Sequence, residues 1–276
     1  MQQYTLSDIY IYPIKSLGAV KLNNTKTTEK GLQYDRRWML VDNNNQFMTI
    51  RKYPRFLFFH LHRRKEGFRI SYNGSYLDIP FSMDSGDLTQ CTIWKSKVEA
   101  IKGDEIWNRW FSEQLGIPCS LVYMPDKADR RIKPLWGGTT VSFADGYPLL
   151  ITGNASLIDL NKKLDKPVEM MRFRPNLVFN GGEAYDEFRW GSFTIGQTKL
   201  QGLKPCARCI VTTYDTVTGE KGREPLLALS KQKINDNIVF GQHAKSLESG
   251  EIRVGDTVEV LNYKSDPYAV IPGLSL

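Results

Sequence analysis

The chain has 276 residues, 41% hydrophobic and 24% charged, enough to bury one large or two medium cores without disulfides or structural metal; a disordered or fibrous class is excluded. With 37 Lys and Arg against 30 Asp and Glu the net charge is +7, which favours an anionic partner without choosing among nucleic acid, acidic lipid and a phosphorylated cofactor. The amino-terminal stretch MQQYTLSDIYIYPIKS has no basic segment leading into an apolar one, and no apolar run approaches the ~18–20 residues a bilayer needs, so a cytoplasmic protein without a membrane segment is expected.

Short β-type runs bounded by turn residues fill the first part of the chain, at residues 9–12, 38–41, 47–50, 56–59 and 68–72. Asp42 to Asn45 tolerate left-handed backbone angles and suit a hairpin loop. Ile106, Trp107, Trp110, Phe111 and Leu115 then recur at helical spacing, between Asp104 as N-cap and Gly116 as C-cap. Residues 125–134 are charged, aperiodic and bracketed by prolines, and read as an exposed connection near a domain boundary. Beyond them Leu157, Leu160 and Leu164 mark a helix after Asn154, and Pro225 before Leu226, Leu227 and Leu229 marks another with proline in its first turn. Residues 252–260 alternate around Gly255-Asp256 and read as a closing β segment. The expected fold is mainly β within the α+β class: a β-barrel-like domain over 1–122, a second with a few helices over 123–263, and a tail over 264–276.

Four cysteines, Cys91, Cys119, Cys206 and Cys209, are too few and too unevenly spaced for a disulfide framework, and reduced thiols are expected. The segment Lys204-Pro205-Cys206-Ala207-Arg208-Cys209, followed by Ile210-Val211-Thr212-Thr213, admits several chemistries. Tetrahedral zinc needs four ligands, yet there is no second Cys-x-x-Cys, and His60, His62 and His243 are the chain's only imidazoles. A redox dithiol sits where a helix begins, whereas Ile-Val-Thr-Thr predicts a strand. A single thiolate serving as a soft metal ligand fits, with Lys204 and Arg208 favouring the ionised sulfur, and so does a pair of inert buried cysteines. No Gly-x-Gly-x-x-Gly fingerprint supports direct nicotinamide or flavin binding, and no Ser-His-Asp pattern or pair of catalytic carboxylates stands out. The aromatic and basic residues from Arg51 to Phe56 are better explained as core than as a nucleic-acid surface.

Seven short marks, in order, carry a resemblance: residues 12–16 (YPIKS), 31–38 (GLQYDRRW), 142–148 (SFADGYP), 173–176 (FRPN), 204–209 (KPCARC), 240–242 (FGQ) and 253–256 (RVGD). By them the chain resembles the MOSC family in its form with an N-terminal MOSC β-barrel domain, which includes amidoxime-reducing components and YcbX-like bacterial proteins. The resemblance implies a molybdenum-pterin cofactor whose metal is bound by Cys209, the residue at the catalytic centre. It places Lys15, Ser16 and Arg36 of the first domain, and Arg174 and Asn176 of the second, around that cofactor. Asp145 and Gly146, with Tyr147, fall in a loop that approaches it, and Arg208 adjoins the ligand. Cys206 is expected to pack or to tune its neighbour, and His243 to lie near the pterin without acting as a base. The implied activity is reduction of N-hydroxylated compounds such as amidoximes and hydroxylamino bases. Electrons would come from a separate ferredoxin, flavodoxin or cytochrome-like protein with its reductase, because no iron-sulfur cysteine cluster follows Cys209. The rival within the family is a carrier of sulfur or of the molybdenum cofactor.

Overall fold

In a computed structural model that describes residues 3–136 and 138–268, seven strands close into a barrel. Their order is Leu177–Asn180, Leu149–Gly153, Val239–Ser246, Thr198–Ala207, Ser192–Ile195, Thr257–Val260 and Tyr4–Ile11, and the last pairs back with the first. Closure leaves no edge among the seven to recruit another chain. One neighbouring pair, Leu149–Gly153 with Leu177–Asn180, is parallel, and the crossover it requires carries the helix Asn154–Asn161. Tyr4–Ile11 buries Tyr4 and Leu6 and then, past a bulge between Leu6 and Asp8, Ile9 and Ile11; the bulge re-phases the alternation so that both halves of the strand feed the core.

Against the barrel lies a four-stranded sheet ordered Trp38–Val41, Ser120–Tyr123, Ser96–Lys102, Leu88–Ile93, and a meander of His60–Arg63, Gly67–Tyr72 and Ser75–Pro80. The unbroken apolar run Trp38-Met39-Leu40-Val41 makes sense there. Trp38 and Leu40 join the main core, whereas Met39 and Val41 join a second cluster with Cys91, Val122 and Phe143. The helix Glu105–Leu115 buries Phe111 and Leu115; the Asp104 carboxylate accepts from the Ile106 amide at 2.8 Å, and Gly116 ends the helix at φ 66°. The amino-terminal strand is part of the barrel, and Glu251–Arg253 pairs with Asn24–Thr28, so early and late segments are interleaved.

Several sequence expectations are corrected. Residues 47–50 contribute a single bridge, Val41 to Phe47, rather than a strand. Residues 56–59 fall mostly in the 3-10 helix Pro54–Phe58, because Pro54 presets its first turn and the three-residue period brings Phe56 and Phe59 to the same core. Ile210–Thr213 is likewise a 3-10 helix, begun at Cys209. The hydroxyls of Thr212 and Thr213 donate to the carbonyls of Cys209 and Ile210, and this local bonding overrides the β preference of branched side chains. Residues 125–134 are irregular and six of the ten are exposed, as expected of a connection, but Pro125, Ala128, Arg130 and Ile132 are buried. The closing β segment is two strands in different sheets, Glu251–Arg253 and Thr257–Val260. Of the expected tail, residues 269–276 lie outside the described residues.

Candidate functional site

One end of the barrel faces the first part of the chain across a cleft of about 500 Å³. All nine residues singled out from the sequence, Lys15, Ser16, Arg36, Asp145, Gly146, Arg174, Asn176, Arg208 and Cys209, line it. Most are brought there by strand ends: Lys15 and Ser16 follow Tyr4–Ile11, Asp145 and Gly146 precede Leu149–Gly153, Arg174 and Asn176 precede Leu177–Asn180, and Arg208 and Cys209 follow Thr198–Ala207. Arg36 arrives from the other side, just before Trp38–Val41.

The inner wall is fixed by bonds within the protein. The guanidinium groups of Arg36 and Arg174 lie 4.4 and 4.1 Å from the ring centre of Tyr12, a buried residue whose hydroxyl donates to the Pro175 carbonyl at 3.1 Å. Arg36 pairs at 2.6 Å with the buried Asp35 carboxylate and donates to Asn176 Oδ1 at 3.2 Å, while Arg174 donates to the Leu17 carbonyl at 2.9 Å. Burial together with the neighbouring Arg36 pushes Arg174 down to about 10; burial acts the same way on Arg36, but Asp35 outweighs it and holds that group above its usual value. Ser16, Arg36 and Arg174 have φ of 72°, 51° and 54°, a left-handed backbone that costs roughly 1–3 kcal/mol per non-glycine residue and that the surrounding packing must enforce. The Asn176 amide also stitches strands, accepting from the Leu150 amide and donating to the Tyr10 carbonyl.

Lys15 is 4% exposed; its ammonium donates to the Phe143 carbonyl at 2.8 Å and pairs with Asp145. Burial pushes it down to about 8 against the opposing pull of Asp145. The Asp145 carboxylate opens to the cleft, yet many protein atoms surround it. That environment would raise its pKa, but Lys15, Arg51 and the Trp94 indole N–H hold it far below the usual carboxylate range. Its loop is supported from beneath by the buried Arg130, whose guanidinium donates to the carbonyls of Ser142, Ala144 and Asp145 at 2.8, 2.6 and 3.1 Å.

The two cysteines of the motif have opposite surroundings. Cys209 is half-buried at the start of its 3-10 helix, and its sulfur accepts from Arg51 Nη2 at 3.3 Å. Cys206 is buried; burial raises its pKa, but Arg208, which donates to its sulfur at 2.9 Å, and His243 bring it down to about 6. Arg208 therefore favours the ionised sulfur of Cys206, and the cation that reaches Cys209 is Arg51. The strand argument against a dithiol also fails locally, since a short helix does begin at Cys209, and Cys206 and Cys209 share the cleft. His243 stacks on Tyr147 with ring centres 4.3 Å apart.

Arg51, Trp94 and Arg130 escaped the sequence reading. Arg51 and Trp94 lie in turns with no local pattern, and Arg130 is one of several charges in a segment that looks solvated. A signal for Arg130 was present: Ala128, Arg130 and Ile132 alternate inward.

The cleft suits an anionic group with a soft atom at one end. Six cations line it, Lys15, Arg36, Arg51, Arg174, Lys204 and Arg208, against one acid, Asp145. The buried nitrogens Arg208 Nε and His243 Nδ1 have no hydrogen-bond partner among the described residues. Among the described residues no group of three or more His, Cys, Asp or Glu could hold a metal. No described helix is long and apolar enough to cross a membrane.

Comparison with known proteins bears on these residues. A family model described as the MOSC N-terminal beta barrel domain matches residues 3–118, and one described as the MOSC domain matches residues 138–259. Similar proteins include mitochondrial amidoxime-reducing component 1 of Mus musculus, 30% identical over 93% of this chain and 82% of that protein, and mitochondrial amidoxime reducing component 2 of Rattus norvegicus, 31% identical over 92% and 82%. Molybdenum cofactor sulfurase of Oryza sativa subsp. japonica is 29% identical over 86% of this chain, which spans 32% of that larger protein.

Proposed function

This chain belongs to the MOSC family in its form with an N-terminal β-barrel domain, and on that premise we propose that it is a molybdenum-cofactor-dependent reductase of N-hydroxylated compounds. The single observation that carries this reading is the half-buried Cys209 sulfur standing at one end of a cleft with six lining cations and one acid. When bound, the cofactor supplies two-electron removal of oxygen from nitrogen: an amidoxime plus two electrons and two protons gives an amidine and water. Cys209 would hold the metal through its sulfur. The cations of the inner wall, Lys15, Arg36 and Arg174, would retain the anionic end of the pterin, and their fixed bonds would spare it the cost of ordering them. Asp145, held ionised, acts as an acceptor and keeps Lys15 and Arg51 in place. Electrons would come from a separate small redox protein of the ferredoxin, flavodoxin or cytochrome-like class with its reductase.

The test is metal and pterin analysis of protein made in a cofactor-producing host, followed by benzamidoxime turnover with a reduced viologen. Stoichiometric molybdenum and turnover are expected. Protein that takes up cofactor and stays inactive would break the reading. The similarity to a molybdenum cofactor sulfurase favours a second reading, a carrier that hands sulfur or cofactor onward. Release of bound cofactor to an apo-acceptor, without benzamidoxime turnover, would select it.

A further inference from the structure

We propose that Arg51 is a positioning residue that receives the oxygen-bearing end of the substrate beside the Cys209 sulfur, with Trp94 as the platform that keeps it there. This rests on the reductase reading and adds to it the residue that orients the N–O group. Most of the cleft's cations have firm protein acceptors: Arg36 has Asp35 at 2.6 Å, Arg174 the Leu17 carbonyl at 2.9 Å, Lys15 the Phe143 carbonyl at 2.8 Å, and Arg208 the Phe173 carbonyl at 2.6 Å. Arg51 differs. Its contacts at the cleft are weak, a sulfur acceptor, Cys209 Sγ, at 3.3 Å and a long 3.5 Å approach to Asp145, which is bound more closely by Lys15 and by the Trp94 N–H at 3.2 Å. Its side chain is 31% exposed, against 13% for Arg36 and 5% for Lys15. A guanidinium held by a sulfur acceptor and a long carboxylate contact, and open to the cleft, can turn its donors to a ligand oxygen without breaking a strong bond.

What prevents Arg51 from swinging into solvent is Trp94. The guanidinium lies 4.8 Å from the indole ring centre, and the ring is tied by its N–H to Asp145 and packed 4.8 Å from Phe47. Trp94 is 46% exposed and has φ 53°, a backbone state in which a bulky residue is an outlier. The bond to Asp145 and the contact with Phe47 keep that exposed aromatic face at the cleft in spite of the backbone cost. The ligand class that fits a planar donor fork beside a flat aromatic face is a planar N-hydroxylated compound whose oxygen accepts from Arg51.

Two measurements separate this inference from the reading beneath it. In cofactor-free protein, site-resolved alkylation of Cys209 by iodoacetate and by iodoacetamide gives a rate ratio in which the thiolate fraction cancels. Arg51→Gln is expected to lower that ratio ~5-fold and Arg51→Lys to keep most of it. An unchanged ratio in Arg51→Gln would overturn the aim of Arg51 at the sulfur. In cofactor-loaded protein, Arg51→Gln is expected to raise KM for benzamidoxime ~10-fold, with molybdenum and pterin content unchanged. Loss of cofactor in that variant, or an unchanged KM, would overturn the substrate role. Wild-type protein that is loaded but inactive would remove the reductase reading and the substrate named here together, while the alkylation ratio still decides whether Arg51 draws anions to Cys209.

Discussion

At the inner end of the cleft Arg36 and Arg174 lie against the Tyr12 ring with their donors committed to the protein, whereas at the mouth Arg51 rests on an exposed tryptophan with only a sulfur, Cys209, and a long contact to Asp145 as acceptors there. Both ends use arginine on an aromatic face, and they differ in what fixes the charge. The inner cations are held by a buried carboxylate and by backbone carbonyls, so their positions do not wait for a ligand. The mouth keeps donors that a ligand can claim. An inner end that retains and a mouth that reacts should fail differently when cut.

The largest expected effect is at the mouth. Cys209→Ala should lower molybdenum from about one per chain to background with little change in melting temperature, because the sulfur is half-buried and its deletion leaves little cavity. Cys206→Ala should keep its metal, since that sulfur is engaged by Arg208 and His243; equal loss in the two variants would restore the two-thiol reading.

Next in size, Arg36→Ala should destabilise the fold by roughly 3–5 kcal/mol, because it removes the ion-pair partner of the fully buried Asp35 carboxylate and leaves the Tyr12 amide on its other oxygen, and chemical denaturation would measure this. Arg174→Ala deletes a cation without orphaning an acid. It should cost about 1–2 kcal/mol in stability and release the pterin ~10-fold faster, seen by fluorescence of the released pterin. Similar denaturation curves for both variants would show that the buried Asp35 carboxylate does not depend on Arg36.

A smaller effect concerns pH. Burial pushes Lys15 down to about 8, so its positive charge is present below that pH and is lost as pH rises through it, while the arginines stay charged. Cofactor retention should therefore fall several-fold between roughly pH 7 and 9. Lys15→Met should show the weaker retention already at pH 7 and little further change; a parallel fall in that variant would assign the dependence to another group. Smallest of all, viologen-driven turnover should be nearly insensitive to salt, whereas turnover with an acidic redox protein should slow several-fold as ionic strength rises to ~0.3 M, because a +7 chain attracts such a partner over a screened distance.

The candidate site was more legible than the path of the chain around it. Lys15, Ser16, Arg36, Asp145, Gly146, Arg174, Asn176, Arg208 and Cys209 could be named because each falls in one of the short marks that carry the family resemblance, and all nine line one cleft. Phe240-Gly241-Gln242 shows how such a pattern acts. Gly241 has φ 70° and would bring a Cβ within 2.5 Å of Thr152, which frees Phe240 to stack on Phe173 and the Gln242 amide to reach the Trp190 carbonyl.

The sequence by itself determined the strand-rich architecture, the capped helix at Glu105–Leu115 and the chemistry available at Cys209, because hydrophobic alternation, caps and residue type are properties of near neighbours in the chain. Tertiary structure alone decided that Arg51 and not Arg208 faces Cys209, that Arg130 turns inward to carry the Asp145 loop, and that the branched residues after Cys209 coil instead of extending. A charged side chain is several ångströms long and can be satisfied by a carbonyl or a sulfur from any part of the chain. Its partner is chosen by the packing of the four-stranded sheet and its neighbouring turns against the barrel, which brings residues 51 and 94 to the same cleft as 145 and 209 and which no local pattern encodes.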